Sequence, residues 1–283
     1  MMNEIFLTCL SFLLLFPVIY LTGSVVEPLL ASMAQSIKGI IFCALGLGFF
    51  AYFGVLIGHF EVFEGRWFVF MSMVICLLRW KRLKEFEKWC VGLWRFLFED
   101  QGLVCRVVTG IFLFSVFLTF LMCFVPETSN DALCYQLNLP KLFVMHHSTR
   151  PIFYDLNSYM PLLMQYLYAL GLALAGVSLA KLFHWITGIL LFFAVLTVVY
   201  QMTRRKLLAL FIGLILWLTP TLMNQVSTTY VDVALSFFLF MGVLTFWEAL
   251  KQRKTAMFFI SGILLGLMIS VKLIALLWMA ALL

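Results

Sequence analysis

Five long apolar stretches, residues 5–22, 39–58, 107–125, 182–202 and 207–226, limit what this chain can fold into more than any motif in it does. Each is long enough to cross a hydrocarbon core of ~30 Å as a helix. Inside lipid there is no water to satisfy the backbone, so a single segment closes its own hydrogen bonds and is helical. Shorter runs at 67–78, 233–247 and 255–271 can cross by tilting or by borrowing flanking residues, and 273–283 begins a further span. The expected fold is all-α, a polytopic membrane protein of about 8–9 transmembrane helices. Composition excludes a soluble domain: 64% of residues are hydrophobic and 11% charged, with a mean hydropathy of +1.09. The first run follows only residues 1–4 and lacks a basic leader or a small-residue cleavage site, so it reads as a retained anchor. The last, 273–283, is too short to cross and has no polar flank, so the sequence reads as truncated before its remaining helices.

The formal net charge of +6 is concentrated between apolar runs, in Arg79, Lys81, Arg82, Lys84 and Lys88, in Arg204, Arg205 and Lys206, and in Lys251, Arg253 and Lys254. That is the positive-inside pattern, with the anionic inner leaflet as the partner of these turns. No basic stripe interleaved with aromatics lies elsewhere, so nucleic acid is not an expected partner. Of the seven cysteines, Cys9, Cys43, Cys76, Cys105 and Cys123 lie in or beside apolar runs as small hydrophobes, and Cys134 sits in a polar loop. No C-x-x-C is present, which leaves no support for a disulfide framework or a zinc site.

With the basic clusters cytoplasmic, the run 107–125 leads outward and the loop 126–157 is extracytoplasmic. The cluster at 204–206 must be inside again, so only one net crossing fits between 158 and 202. The stretch 158–177, with Pro161, Gln165, Tyr166 and Tyr168, is expected to lie flat as a juxtamembrane helix. The run 207–226 then leads out, which puts Asp131 and Asp232 on one face, and Lys272 approaches that face after 255–271.

An ionisable residue at the edge of a span is costly unless solvated or paired, which marks Asp131, Asp232, Lys272 and His184 as candidates. Each also has a plain structural alternative. Asp131 can cap a helix starting at Ala132, and Asp232 can favour a helix N-terminus. Lys272 can snorkel, and His184 can be a hydrogen-bonded packing residue. His146 and His147 are adjacent and point apart on a helix, so they do not suggest a metal pair. Gly54/Gly58 and Gly262/Gly266 both have G-x-x-x-G spacing, a packing feature. No Walker, G-x-S-x-G, H-E-x-x-H or Rossmann signature and no internal repeat occurs.

The segment DALCYQLNLPKLFV, followed by NSYMPLLMQYLYALGLALAG, resembles the first outer loop of the GT-C superfamily of membrane glycosyltransferases, where D-A-L-x-Y-H-L-x-x-P-K is common. AKLFHWITGILLFFAVLTVVY, TPTLMNQVSTTYVDVALSFFL and SGILLGLMISVKLIAL resemble the next spans in the same order, so the likeness covers about residues 105–283. In this chain Gln136 stands in place of the motif's histidine, and residues 1–100 precede the usual first loop. The likeness is to protein mannosyltransferases in particular. It implies a polyprenyl-phosphate-linked sugar donor, an extracytoplasmic active face, most simply at the plasma (inner) membrane, and a catalytic base at Asp131. Asp232 matches the second acidic position. The implied division is 1–102 as N-terminal transmembrane helices and 103–283 as the catalytic module.

Inverting transfer from a lipid phosphate requires one base for the acceptor proton and positive charge for the departing phosphate. Asp131 is the expected base, with Asp232 orienting the acceptor. Lys272, Lys141 and Arg150 are candidates for the phosphate, Lys272 first among them, with Tyr135 as a further substrate contact. No resident cofactor is expected, although Asp131 and Asp232 are able to share a divalent ion. Flat helices at 132–145 and 160–174 would frame a groove for the polyprenyl chain. A lipid or polysaccharide transporter and an inactive or partner-dependent membrane subunit are the competing classes. The acceptor is not specified by any residue.

Overall fold

A computed structural model describes residues 2–99 and 102–282. The chain is helical throughout its described elements. The first four helices are α1 (Met2–Gly23), α2 (Gln35–His59), α3 (Gly65–Arg79) and α4 (Leu83–Phe98). Next come α5 (Leu103–Met122), α6 (Asn138–Met145), α7 (Leu163–Leu174), α8 (Val177–Thr203) and α9 (Lys206–Leu218). The last four are α10 (Pro220–Val226), α11 (Asp232–Gln252), α12 (Thr255–Val271) and α13 (Ala275–Leu282).

Among the described residues, five helical segments are long and apolar enough to cross a membrane, those at 3–30, 35–59, 103–122, 177–203 and 232–252. A sixth results if α9 and α10, bent by 67°, make one broken span. This is fewer than the apolar runs suggested, and the reasons are local. The run 207–226 does not form one helix, because Pro220 drives Thr219 out of the helical region (φ −57, ψ 124) and then opens α10, where its missing N–H is not needed. The 15 residues of α3 reach only about 22 Å at ~1.5 Å per residue. Large hydrophobics such as Phe6, Leu13, Leu77, Leu103 and Phe114 stay exposed on the outer helices, as a surface facing lipid tails requires.

The bundle closes around α2 and α8, which pack against each other and against α7. The N-terminal helices are therefore built into the same core as the later ones. Glycine makes the tightest of these approaches possible: a Cβ on Gly23 would stand 1.9 Å from the Phe42 carbonyl oxygen, and one on Gly46 would stand 1.9 Å from that of Ile19. Gly46→Val should therefore force α1 and α2 apart at a cost of about 1–3 kcal/mol, seen as a lower unfolding temperature in detergent. Gly262→Ala, where nothing lies within 4 Å, should change little. The G-x-x-x-G spacing at Gly262 and Gly266 thus faces outward, while Gly58 meets Thr149.

The stretch 158–177, expected to lie flat as a juxtamembrane helix, contains α7, which is packed into the bundle. In α7 Leu163, Met164, Gln165, Leu167, Tyr168, Ala169 and Leu170 are all buried. Its 12 residues are too few to span, and its polar groups bond the outer loops, Gln165 to Gln136 and Tyr168 to the Tyr230 carbonyl. Gly176, with φ +90, makes the sharp turn from α7 into α8 that only glycine adopts without strain.

Polar groups are sorted to the two ends of the bundle. Arg204 and Arg253 adopt left-handed conformations (φ 57 and 52) that close the α8–α9 and α11–α12 corners. Arg82 pairs with Glu27, Ser32 bonds Gln252, and one cavity is lined by Ser32, Gln201, Arg204, Glu248 and Lys251, so the basic turns gather at one end. Asp232 begins α11 and Gln252 ends it, so the acidic loop residues lie at the opposite end.

Candidate functional site

The loop after α5 carries Glu127, whose carboxylate organises the region. Its Oε1 accepts from the backbone N–H groups of Thr128 and Ser129, both at 3.1 Å, and its Oε2 accepts from that of Thr229 at 3.3 Å. Lys181, one turn into α8, sits 3.5 Å from Oε2 and donates to the Val125 carbonyl at 2.8 Å. The two side chains are only 5% and 3% exposed, so this is a buried ion pair whose remaining valences are met by backbone. It ties the segment 125–129 to α8 and to the segment 227–230.

Further bonds tighten the same join. Ser129 Oγ donates to the Tyr230 hydroxyl at 2.6 Å, and the buried Tyr168 hydroxyl of α7 donates to the Tyr230 carbonyl. The His184 ring Nδ1 is 3.0 Å from the carbonyls of both Gln225 and Thr228. Two acceptors there require the proton on Nδ1. His184 therefore holds the chain between α10 and α11 as a packing residue with a specific bond, and its Nε2 is buried without a partner.

This frame presents the acidic residues. The helix after the loop begins at Asn130, so Asp131 already has helical geometry (φ −62, ψ −37) and makes no side-chain cap bond. The capping alternative for Asp131 is thereby removed, and its carboxylate stands exposed. The next turn, Ala132–Gln136, is a π-helix, closed by the Leu137 N–H on the Ala132 carbonyl at 2.8 Å. Such a turn inserts one extra residue and re-aims side chains, a device frequent at functional sites. Here it brings Tyr135 and Gln136 to the wall of a cavity. Asp232 opens α11 and pairs with Lys272 at 2.8 Å, both partners being partly exposed.

Lys272 follows the last residue of α12 and does not simply snorkel. Burial alone would lower the pKa of its ammonium, but the hydrogen bond and charge of Asp232 outweigh that, with smaller contributions from Tyr135 and Asp131. The net shift is upward, so the contact is present below the ordinary lysine pKa and is lost only as pH rises above it. Lys272 therefore stays charged throughout the neutral range, and the charge of Asp131 acts on the same ammonium.

Beside Lys272 lies a cavity of about 250 Å³ whose lining includes Tyr135, Gln136, Asn157, Met160 and Gln165. Of the other candidates, Lys141 is exposed on α6 and does not line this cavity, and Arg150 is paired with Glu61 at 2.7 Å on the connection after α2. His146 and His147 are exposed, and His147 Nδ1 meets the Phe63 carbonyl at 3.2 Å. Among the described residues no group of three or more His, Cys, Asp or Glu is placed to hold a metal ion. Glu127 and Lys181 escaped the sequence reading. Their signal was present, since Lys181 stands in an apolar segment as conspicuously as His184 does, but its partner lies 54 residues away in the chain.

Residues 177–283 match the family model of dolichyl-phosphate-mannose-protein mannosyltransferases. Over these residues the chain is similar to that family. The match spans α8 to α13 and includes Lys181, His184, Asp232 and Lys272, while the loop bearing Glu127 and Asp131 precedes it. No curated protein and no solved structure matched the chain. The matched segment thus supplies the Asp232–Lys272 pair, and the loop that brings Asp131 is joined to it through the Glu127–Lys181 contact.

Proposed function

We propose that this chain is an inverting membrane glycosyltransferase that moves a sugar from a polyprenyl-phosphate-linked donor to an acceptor hydroxyl, with Asp131 as base. The observation that carries the reading is the Asp232–Lys272 pair at a cavity opposite the basic turns, with Asp131 near enough for its charge to act on Lys272. The family match, whose printed name contains a dolichyl-phosphate-linked mannose, supports a donor of this class. In the reaction Asp131 takes the acceptor proton as the acceptor oxygen bonds to the anomeric carbon. The bond from that carbon to the phosphate oxygen breaks on the opposite face, and the lipid phosphate leaves with the electron pair. Lys272 supplies the positive charge that the phosphate needs, and Asp232 keeps Lys272 charged and aimed. Phosphate leaves as a weak base, so no separate general acid is required.

The positive-inside pattern of the basic turns supports an extracytoplasmic site, and the reading takes the plasma (inner) membrane as its host. Residues 103–283 form the catalytic module in this reading, and helices of 1–102 brace it through α2, which packs on α7 and α8. The test is transfer of radiolabelled sugar from polyprenyl-phosphate donors by membranes containing the chain, compared with its Asp131→Asn variant. Lys272→Gln should lower kcat/KM by about 10²–10³-fold, and Lys272→Arg, which keeps the charge, should recover part of it. Equal activity of Lys272→Gln and the unaltered chain would remove Lys272 from the phosphate role.

A further inference from the structure

Gln136, at the end of the π-turn, and Gln165, in α7, meet in the wall of the cavity beside Lys272, each only 2% exposed. The Gln165 Nε2 amide donates to the Gln136 Oε1, and Gln165 Oε1 is buried without any donor. The surrounding lining is apolar, with Met160, Pro161, Leu162, Val231 and Val271. A buried acceptor left empty costs about 1–3 kcal/mol, and leucine would fill either position without that cost. The carboxamide pair at the cavity wall holds one buried acceptor that lacks a donor, together with amide N–H groups, which is the complement of hydroxyl groups. The cavity, about 250 Å³, falls just under the usual range of small-ligand pockets (~300–1,000 Å³) and suits one sugar ring.

We infer that Gln136 and Gln165 form a sugar-reading subsite, in which Gln165 Oε1 accepts from one ring hydroxyl of the donor and Gln136 Nε2 donates to another. The identity of the ligand as a glycosyl phospholipid rests on the function proposed above. Lys272, on the same wall, holds the phosphate, so the amide pair and the ammonium together measure the distance between headgroup charge and ring hydroxyls. Asn157 stands at the same cavity as a further polar contact for the ring. The pair makes no bond in the reaction, and its role is to discriminate among sugars.

The experiment uses the full chain purified into lipid nanodiscs, with binding followed by intrinsic tryptophan fluorescence. The probes are mannosyl-, glucosyl- and galactosyl-phospho-polyprenol, with methyl-phospho-polyprenol as a phosphodiester of equal charge and no ring. The unaltered chain should bind at least one sugar lipid ~10-fold or more tightly than the methyl diester, the sum expected for two neutral hydrogen bonds. Gln165→Leu and Gln136→Leu should each lower that preference about threefold, with methyl diester binding unchanged. The proposal is overturned if the unaltered chain shows no preference, if the preference survives both substitutions, or if both substitutions abolish methyl diester binding as well, which would make the pair purely structural. A sugar preference without any transfer counts against the glycosyltransferase reading and leaves the subsite standing, while transfer without a preference does the reverse.

Discussion

Asp131→Asn should reduce sugar transfer by about 10²–10⁴-fold, the range lost when a positioned general base is removed, without destabilising the protein. Both halves of that result follow from geometry. Asp131 is exposed, lies inside rather than before its helix, and caps nothing. A surface change of this kind shifts stability by no more than ~0.5 kcal/mol. Asparagine keeps the size and the hydrogen-bonding oxygen but cannot take a proton at neutral pH, so only chemistry is removed. The assay is transfer of labelled sugar by membranes, run beside a thermal unfolding curve of the purified variant. Transfer at the unaltered rate would end the assignment of Asp131 as base. Loss of transfer together with a large drop in unfolding temperature would mean that the residue is structural after all. A transporter, by contrast, would move substrate equally well with aspartate or asparagine at this position.

Lys181→Met should cost about 3–5 kcal/mol, the largest stability effect expected of a charge substitution among the described residues, because it strands a buried carboxylate. Glu127 is 5% exposed, and although three backbone N–H groups also reach it, no other cation does so at ion-pair distance among the described residues. Glu127→Gln should be nearly as costly, since it removes the negative charge that offsets the buried Lys181 ammonium. Arg150→Ala is the control: its pair with Glu61 is 60% and 56% exposed, and such surface contacts contribute ~0–1 kcal/mol. Thermal unfolding in one detergent compares the three variants. A Lys181→Met protein as stable as Arg150→Ala would show that the pair is not what joins the loops. Because the pair holds the Asp131 loop against the segment before Asp232, variants that still fold should also lose transfer through kcat rather than KM.

Much of the architecture was readable from hydropathy alone, since an apolar run in lipid has only the helix to adopt. The limits appear at particular residues. Pro220 interrupts a run that hydropathy counts as one span, because a hydropathy average does not register a missing N–H. The stretch around Tyr166 and Tyr168 read as an interfacial helix because tyrosines and amides are frequent there. In the fold Tyr168 is buried and bonds the Tyr230 carbonyl, and Gln165 bonds Gln136. Polar side chains in an apolar segment indicate that partners are needed, and residue types alone do not say whether those partners are headgroups or other helices.

The candidate site divides in the same way. By itself the sequence determined the helical class and the basic turns and marked Asp131, Asp232 and Lys272 as candidates, because each of those is a local consequence of residue type in an apolar setting. Only the tertiary structure decided that Lys272 meets Asp232 across 40 residues, that Glu127 and Lys181 hold the loops together, and that Arg150 turns to Glu61. The physical reason is that the cost of burying a charge is a property of one residue and its neighbours in sequence, whereas relief of that cost depends on which distant group the packing of helices places within a few ångströms.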